Sequence, residues 1–181
     1  HQLQARESDS QLFSQLAGLI IYSNPRLRAR PSLIARNRKG QSDLWAYGIS
    51  GDLPIVTLRV SDQSGLDLVR QVLKAHTYWR NKGMRVDLVI LCEAYMGYRQ
   101  SLMDAIIGLV NASLEAKALN QPAGIFVRNI DQVPEEDRML LRAISRIVLS
   151  DHIGTLAEHL ERHAIPKFDL PLLKPTRRPE E

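Results

Sequence analysis

The stretch IVTLRVSDQSGLDLVRQVLKAHTYWRNKGMRVDLVILC (residues 55–92) decides the fold. Its two ends, residues 55–60 and 86–92, are apolar runs rich in β-branched side chains, which is typical of strands. The second run is apolar almost throughout, as expected where helices cover both faces of a parallel strand. Between them, mostly apolar residues recur at the spacing of one helix face, and they are expected to form its inner stripe: Leu66, Val69, Val72, Leu73, His76 and Trp79. A strand, a helix and a strand in this order predict a βαβ unit.

The same alternation continues toward the C-terminus. Residues 98–112 have the period of a second helix, the run GIFVR (124–128) predicts a third strand, and a helix is predicted to begin near Pro134. Residues 147–149 are the candidate for a short fourth strand, and residues 155–163 for a final helix. We therefore predict an α/β fold with a three- to four-stranded, mainly parallel sheet and helices on both faces.

The boundaries of the first long helix have their own signals. Ser64 is followed three residues later by Asp67, the spacing of a capping box that would start the helix. Gly83 stands where a left-handed C-terminal cap would stop it.

The two ends of the chain differ from this central pattern. Residues 10–22 have an amphipathic helical pattern, and residues 26–39 hold six basic residues and no acidic one. We divide the chain into a helical and basic N-terminal arm (residues 1–43), an α/β domain (44–165) and a proline-rich linker (166–181). The start at His1 and the proline-rich end lead us to expect a segment of a longer protein.

Composition excludes several classes of protein. With 181 residues, 44% of them apolar, the chain can bury a core of its own. Its formal charge of +4 comes from the basic stretch alone, so we expect no nucleic-acid partner. The single cysteine, Cys92, excludes an internal disulfide, and no apolar run approaches the roughly 20 residues of a membrane span. We expect this piece to be soluble.

The candidate binding residues follow the predicted strands, because ligands bind parallel α/β sheets beyond the carboxyl ends of the strands. Asp62, Glu93 and Asn129 are placed there, with Tyr95 and Tyr98 as aromatic platforms for a sugar ring. The alternative is that the polar residues only cap the helices that follow, since caps require the same residue types.

Motifs for specific chemistry are incomplete. Gly48 and Gly51 precede a strand and lack the further glycines or the lysine of a phosphate-binding loop, and no nucleophile elbow occurs. His159 and His163 have a spacing that two zinc ligands can use, but a third ligand is missing, so we predict a solvated face there. His76, beside Trp79, is predicted to pack in the core. We predict no catalytic residue, no metal site and no cofactor.

Two long blocks carry a family resemblance: LWAYGISGDLPIVTLRV (residues 44–60) and DLVRQVLKAHTYWRNKGMRVDLVIL (residues 67–91). They resemble the cyclic β-1,2-glucan synthases, large bacterial inner-membrane proteins with a C-terminal phosphorylase-like region of glycoside hydrolase family 94. The resemblance implies a parent that makes cyclic β-1,2-glucan from UDP-glucose at the cytoplasmic side of the inner membrane. It also implies that the nucleotide-sugar and phosphorylase sites lie in other domains of that parent.

The functional hypothesis is a non-catalytic spacer or docking module, whose partners are the neighbouring domains of the parent chain. The alternative is a module that binds β-1,2-glucan or a nucleotide sugar at Asp62, Glu93 and Asn129. The basic stretch at residues 26–39 is predicted to be a solvated or domain-docking face, with an acidic partner, a phosphate or an anionic membrane surface as alternatives. Otherwise we expect contact with the membrane only through the parent.

Overall fold

The sheet has four strands that are all parallel, as seen in a computed structural model that describes residues 2–22 and 24–162. The strands lie in the order β3-β2-β1-β4. They are β1 (Ile55–Val60), β2 (Asp87–Cys92), β3 (Ile125–Asn129) and β4 (Ile147–Ser150). The predicted α/β class is therefore confirmed, and the candidate fourth strand is present.

Six α-helices accompany the strands in the described part of the chain. The helices are α1 (Gln2–Ile21), α2 (Pro31–Arg36), α3 (Leu66–Asn81), α4 (Arg99–Ala112), α5 (Glu135–Ile144) and α6 (Leu156–Arg162). Short 3₁₀ turns link several of these elements, including Gln41–Tyr47 before β1 and Gln63–Gly65 before α3.

Each face of the sheet has its own apolar core, because alternate strand residues point to opposite sides. On one face, Val56, Leu58 and Val60 of β1 belong to the larger core, together with buried residues of α1, α3, α4 and α6. On the other face, Ile55 and Phe126 pack in a smaller core with residues of α5 and of the turn Gln41–Tyr47. Helices thus cover both faces, as predicted.

The boundaries of α3 differ in part from the sequence prediction. The predicted capping box of Ser64 and Asp67 is wrong, because a 3₁₀ turn precedes the helix and α3 begins only at Leu66. The Asp62 side chain accepts hydrogen bonds from Ser64 instead. The predicted stop at Gly83 is confirmed, since this residue has a φ of +82°, which favours glycine.

The N-terminal arm crosses from one face of the sheet to the other. α1, which begins earlier than predicted, packs on α3, where the Trp79 indole donates a hydrogen bond to the Phe13 carbonyl at 2.9 Å. Farther along, α2 packs on α5. The division between arm and α/β domain stays a prediction, and the predicted linker at residues 166–181 lies outside the described residues.

A small polar cluster fixes the second half of the arm to α5. Asp137 of α5 accepts a hydrogen bond from the Tyr47 hydroxyl and pairs with the Lys39 ammonium at 2.9 Å. Burial and the bond to Asp137 raise the pKa of Tyr47 to about 12. Burial opposes charge on Asp137, but the bonds from Lys39 and Tyr47 hold the pKa of that carboxyl below its usual value.

Candidate functional site

The candidate site is the edge of the sheet at which the strands end, called here the carboxyl edge. β1, β2 and β3 succeed one another in one direction across the sheet, whereas β4 lies on the other side of β1. The strand order therefore reverses between β1 and β4. In open parallel sheets a ligand binds in the crevice at such a reversal.

The Asp151 side chain occupies this crevice. Its carboxylate accepts hydrogen bonds from the Ser61 amide at 2.7 Å, the Ser61 hydroxyl at 2.9 Å and the Asp62 amide at 3.3 Å. Gly65 makes room for it, because a Cβ there would lie 2.7 Å from Asp151 Oδ2. The carboxylate thus takes the place that an anionic ligand group would need to reach these donors.

Asp62 lies beside this contact and is exposed. Its carboxylate accepts a hydrogen bond from the Ser64 amide at 2.8 Å and another from the Ser64 hydroxyl. These bonds hold the pKa of Asp62 below its usual value. The side chain caps the turn before α3, which is the local role that the sequence left open as the alternative.

Glu93 follows β2, and its carboxylate is held by a neighbouring strand. Arg59 of β1 donates from Nε to Glu93 Oε1 at 2.8 Å, and the Glu93 side chain is 14% exposed. Asn129 ends β3 and accepts a hydrogen bond from the Asp131 amide at 3.1 Å, so it too acts as a cap.

The sheet brings the three predicted polar residues to one edge. Val60, Cys92 and Asn129 share one register row, Glu93 comes one residue beyond that row, and Asp62 two beyond. Each of these side chains already has a partner within the chain. The arrangement offers hydrogen-bonding groups in a row. The Asp62 carboxylate, however, is bound by Ser64, and the Glu93 carboxylate by Arg59.

The two predicted aromatic residues are among the most exposed large side chains of the described chain. Tyr95 is 87% and Tyr98 73% exposed, and Met96 between them is 84% exposed. They lie in the loop between β2 and α4, in which Tyr95 comes two residues after Glu93. An exposed ring at this edge has the geometry that stacking on the apolar face of a sugar requires.

A buried charged cluster lies elsewhere, near the start of β2. Glu115 is 1% exposed and contacts His76 Nδ1 at 2.9 Å, the Thr77 hydroxyl at 2.8 Å and Arg80 Nη2 at 2.8 Å. The other His76 nitrogen meets the Val86 carbonyl at 2.7 Å. Burial opposes charge on Glu115, but its bonds with His76 and Thr77 and the charges of His76 and Arg80 hold its pKa below the usual value. His76 is thus a core residue, as predicted.

The prediction of a solvated face at His159 is wrong. The ring is buried, its Nδ1 meets the Thr155 carbonyl at 2.7 Å, and its Nε2 accepts a hydrogen bond from the Ser150 amide at 3.0 Å. α6 turns this side of the helix toward β4, which a short helical pattern does not reveal. His163, the other member of the predicted pair, lies outside the described residues.

Within residues 2–22 and 24–162, no three histidine, cysteine, aspartate or glutamate side chains are grouped so that they could hold a metal ion. No helix in the same ranges has the length and hydropathy needed to cross a bilayer.

Sequence reasoning missed Asp151, which closes the crevice. The available signal was its position, since it directly follows the fourth strand just as Ser61 and Asp62 follow the first. The fourth strand was only a candidate, and without it no pairing between residues 90 positions apart could be inferred.

Comparison with known proteins gives one informative match. The chain is 30% identical over 151 residues, or 83% of its length, to the cyclic beta-(1,2)-glucan synthase NdvB of Rhizobium meliloti strain 1021. It spans only 5% of the length of that protein. No protein-family model matches the chain. The resemblance found in the two sequence blocks is therefore confirmed, and the chain is related to a segment of the cyclic beta-(1,2)-glucan synthases.

Proposed function

We propose that the chain is a non-catalytic α/β spacer or docking module within a cyclic β-1,2-glucan synthase. The parent would make cyclic β-1,2-glucan from UDP-glucose at the cytoplasmic side of the bacterial inner membrane. The module would belong to its phosphorylase-like region of glycoside hydrolase family 94. Its partners would be the neighbouring domains, which it holds in position for their own chemistry.

The observation that carries this proposal is the closed crevice at the reversal of strand order. Asp151 binds the Ser61 and Asp62 amides that a nucleotide phosphate would otherwise meet. Nearby, Glu93 is paired with Arg59. A general acid or base must reach a substrate proton, and a carboxylate engaged in this way is poorly placed for that task.

An activity assay on the purified 181-residue chain tests the proposal that the chain is non-catalytic. We expect no UDP release from UDP-glucose with β-1,2-gluco-oligosaccharide acceptors, and no glucose 1-phosphate from the oligosaccharides and phosphate, above a protein-free blank. Turnover that falls about 100-fold or more in Glu93→Gln or Asp62→Asn, but not in the exposed control Asp104→Asn, would contradict the proposal.

The exposed loop Tyr95–Tyr98 favours a second candidate function, the binding of a glucan chain. Two rings that are largely exposed beside polar groups could stack on successive glucose units, while Glu93 and Asn129 would contact hydroxyl groups. In this second function, the protein would hold a glucan substrate or product near the catalytic domains of the parent.

An amide-shift NMR titration separates the two functions. If the chain is only a spacer, we expect a well-dispersed spectrum without saturable shifts when linear β-1,2-gluco-oligosaccharides or UDP-glucose are added at millimolar concentration. If the chain binds glucan, we expect saturable shifts near Asp62, Glu93 and Asn129, with an affinity that falls about fivefold or more in Tyr95→Ala or Tyr98→Ala, since truncating an important contact residue costs more than about 1 kcal/mol. Trp45→Ala, which removes another exposed ring, is the matched control.

A further inference from the structure

Three arginines from separate elements are linked through Arg142, next to the end of β1. Arg59 comes from β1, Arg142 from α5, and Arg30 from the segment of the arm just before α2. Arg142 is close enough to Arg59, Glu93 and Arg30 to interact electrostatically with all three. We call Arg30, Arg59 and Arg142 the arginine cluster.

The charges in this group do not balance. Within residues 2–22 and 24–162, Glu93 is the one carboxylate among the charged groups that interact with Arg142, and it is bound to Arg59 Nε at 2.8 Å. The Arg142 side chain forms no hydrogen bond or ion pair with any group of the described chain, and its Nε is buried without a partner. Burial and the charges of Arg59 and Arg30 lower the pKa of Arg142, while Glu93 offsets part of this effect.

The fold holds Arg30 at this place. Two residues earlier, Arg28 donates from Nη2 to the Ala143 carbonyl at 2.9 Å, directly after Arg142 in α5. Beyond Arg30, α2 packs on α5. The arm is therefore attached on both sides of Arg30, whose own side chain is exposed and forms no hydrogen bond with the described residues.

We propose that the arginine cluster is a docking surface for an acidic protein segment, whose carboxylates pair with Arg30 and Arg142. This inference rests on the proposed docking function and names its surface. A guanidinium binds a carboxylate through two parallel hydrogen bonds, so the unpaired Arg142 and the exposed Arg30 can each take one. Two such groups on separate elements suit carboxylates spaced along a chain better than one small anion.

A fluorescence-anisotropy titration tests the proposal with the full 181-residue chain and a labelled peptide of eight glutamates. We expect saturable binding at low salt that weakens as salt is added, because screening acts on exposed charges. Arg30→Gln should weaken binding about fivefold or more, and Arg142→Gln at least as much. Glu93→Gln should strengthen binding, because it removes the carboxylate that competes with the peptide.

The matched control is Arg85→Gln, which removes the same charge at an exposed position before β2, at the opposite edge of the sheet. If Arg85→Gln weakens binding as much as Arg30→Gln does, the attraction is only that of net charge and the proposal is wrong. Arg30 is exposed, so its variant keeps the test valid even if Arg142→Gln fails to fold.

Two other results would also overturn the proposal. Binding of inorganic phosphate or of phosphatidylglycerol vesicles through the same arginines, without binding of the peptide, would assign the surface to a phosphate group. Absence of all binding by a folded chain would leave the surface without a docking role. In either case the non-catalytic assignment is still decided separately, by the activity assay.

Discussion

Replacing Glu115 by glutamine is expected to lower the free energy of unfolding by about 1.5–3 kcal/mol, the usual contribution of hydrogen bonds to a buried charged group. The Glu115 carboxylate is 1% exposed and contacts His76, Thr77 and Arg80. Glutamine keeps the shape but loses the negative charge. The buried His76 ring would then face an amide in place of a carboxylate.

The dependence on pH identifies the charge as the cause. The pKa of Glu115 is lowered in the folded chain, so its charge stabilises the fold fully above the unfolded value of about 4.3. This contribution is lost as the pH falls from there through the lower folded value. In urea unfolding followed by circular dichroism, the difference between the wild type and Glu115→Gln should therefore be large at pH 7 and shrink toward pH 3.

The exposed control for this variant is Glu161→Gln in α6, which should change the unfolding free energy by less than about 0.5 kcal/mol. If Glu115→Gln is equally mild, or if its effect does not change with pH, the ionised cluster does not stabilise the fold as described.

Asp151→Ala is expected to cost about 2–3 kcal/mol of unfolding free energy, because donors that the carboxylate satisfies lose their partner. These donors are the Ser61 amide, the Ser61 hydroxyl and the Asp62 amide. The loss should be local at first, so amide hydrogen exchange at Ser61 and Asp62 should accelerate more than exchange in β2. Chemical denaturation and exchange followed by NMR measure the two effects.

A second variant tests the same contact from the turn that precedes α3. Gly65→Ala places a Cβ within 3 Å of Asp151 and Val60, so it should also destabilise the chain, by about 1–3 kcal/mol. Asp104→Asn, on the exposed side of α4, is the control and should be neutral. Unchanged stability and exchange in both Asp151→Ala and Gly65→Ala would mean that the crevice is not held closed in this way.

The sheet could be predicted because its signals are local. The apolar runs of β1 and β2 are long, a helical period of suitable length separates them, and Gly83 marks the end of α3. Strand order could not be obtained in this way. The position of β4 beside β1 depends on contacts such as the Thr57–Ser145 hydrogen bond, between residues 88 positions apart.

The candidate site was predicted only as a set of positions. Asp62, Glu93 and Asn129 do lie at the carboxyl edge, since that follows from parallel strands. Their partners could not be predicted, because Arg59 reaches Glu93 across neighbouring strands and Asp151 reaches Ser61 from β4. A short polar motif specifies a residue's place in its own loop, but not which distant side chain will meet it.

The order of the strands has a consequence for how the chain assembles. β1, α3 and β2 are consecutive, so this half of the sheet can form from neighbours in sequence at little cost in loop closure. β4 follows β2, β3 and the helices between them in the sequence, so its pairing with β1 closes a long loop. We therefore expect the contact between Ser61 and Asp151 to be among the last to form during folding. During synthesis from the N-terminus, the sheet would therefore remain incomplete until β4 has left the ribosome.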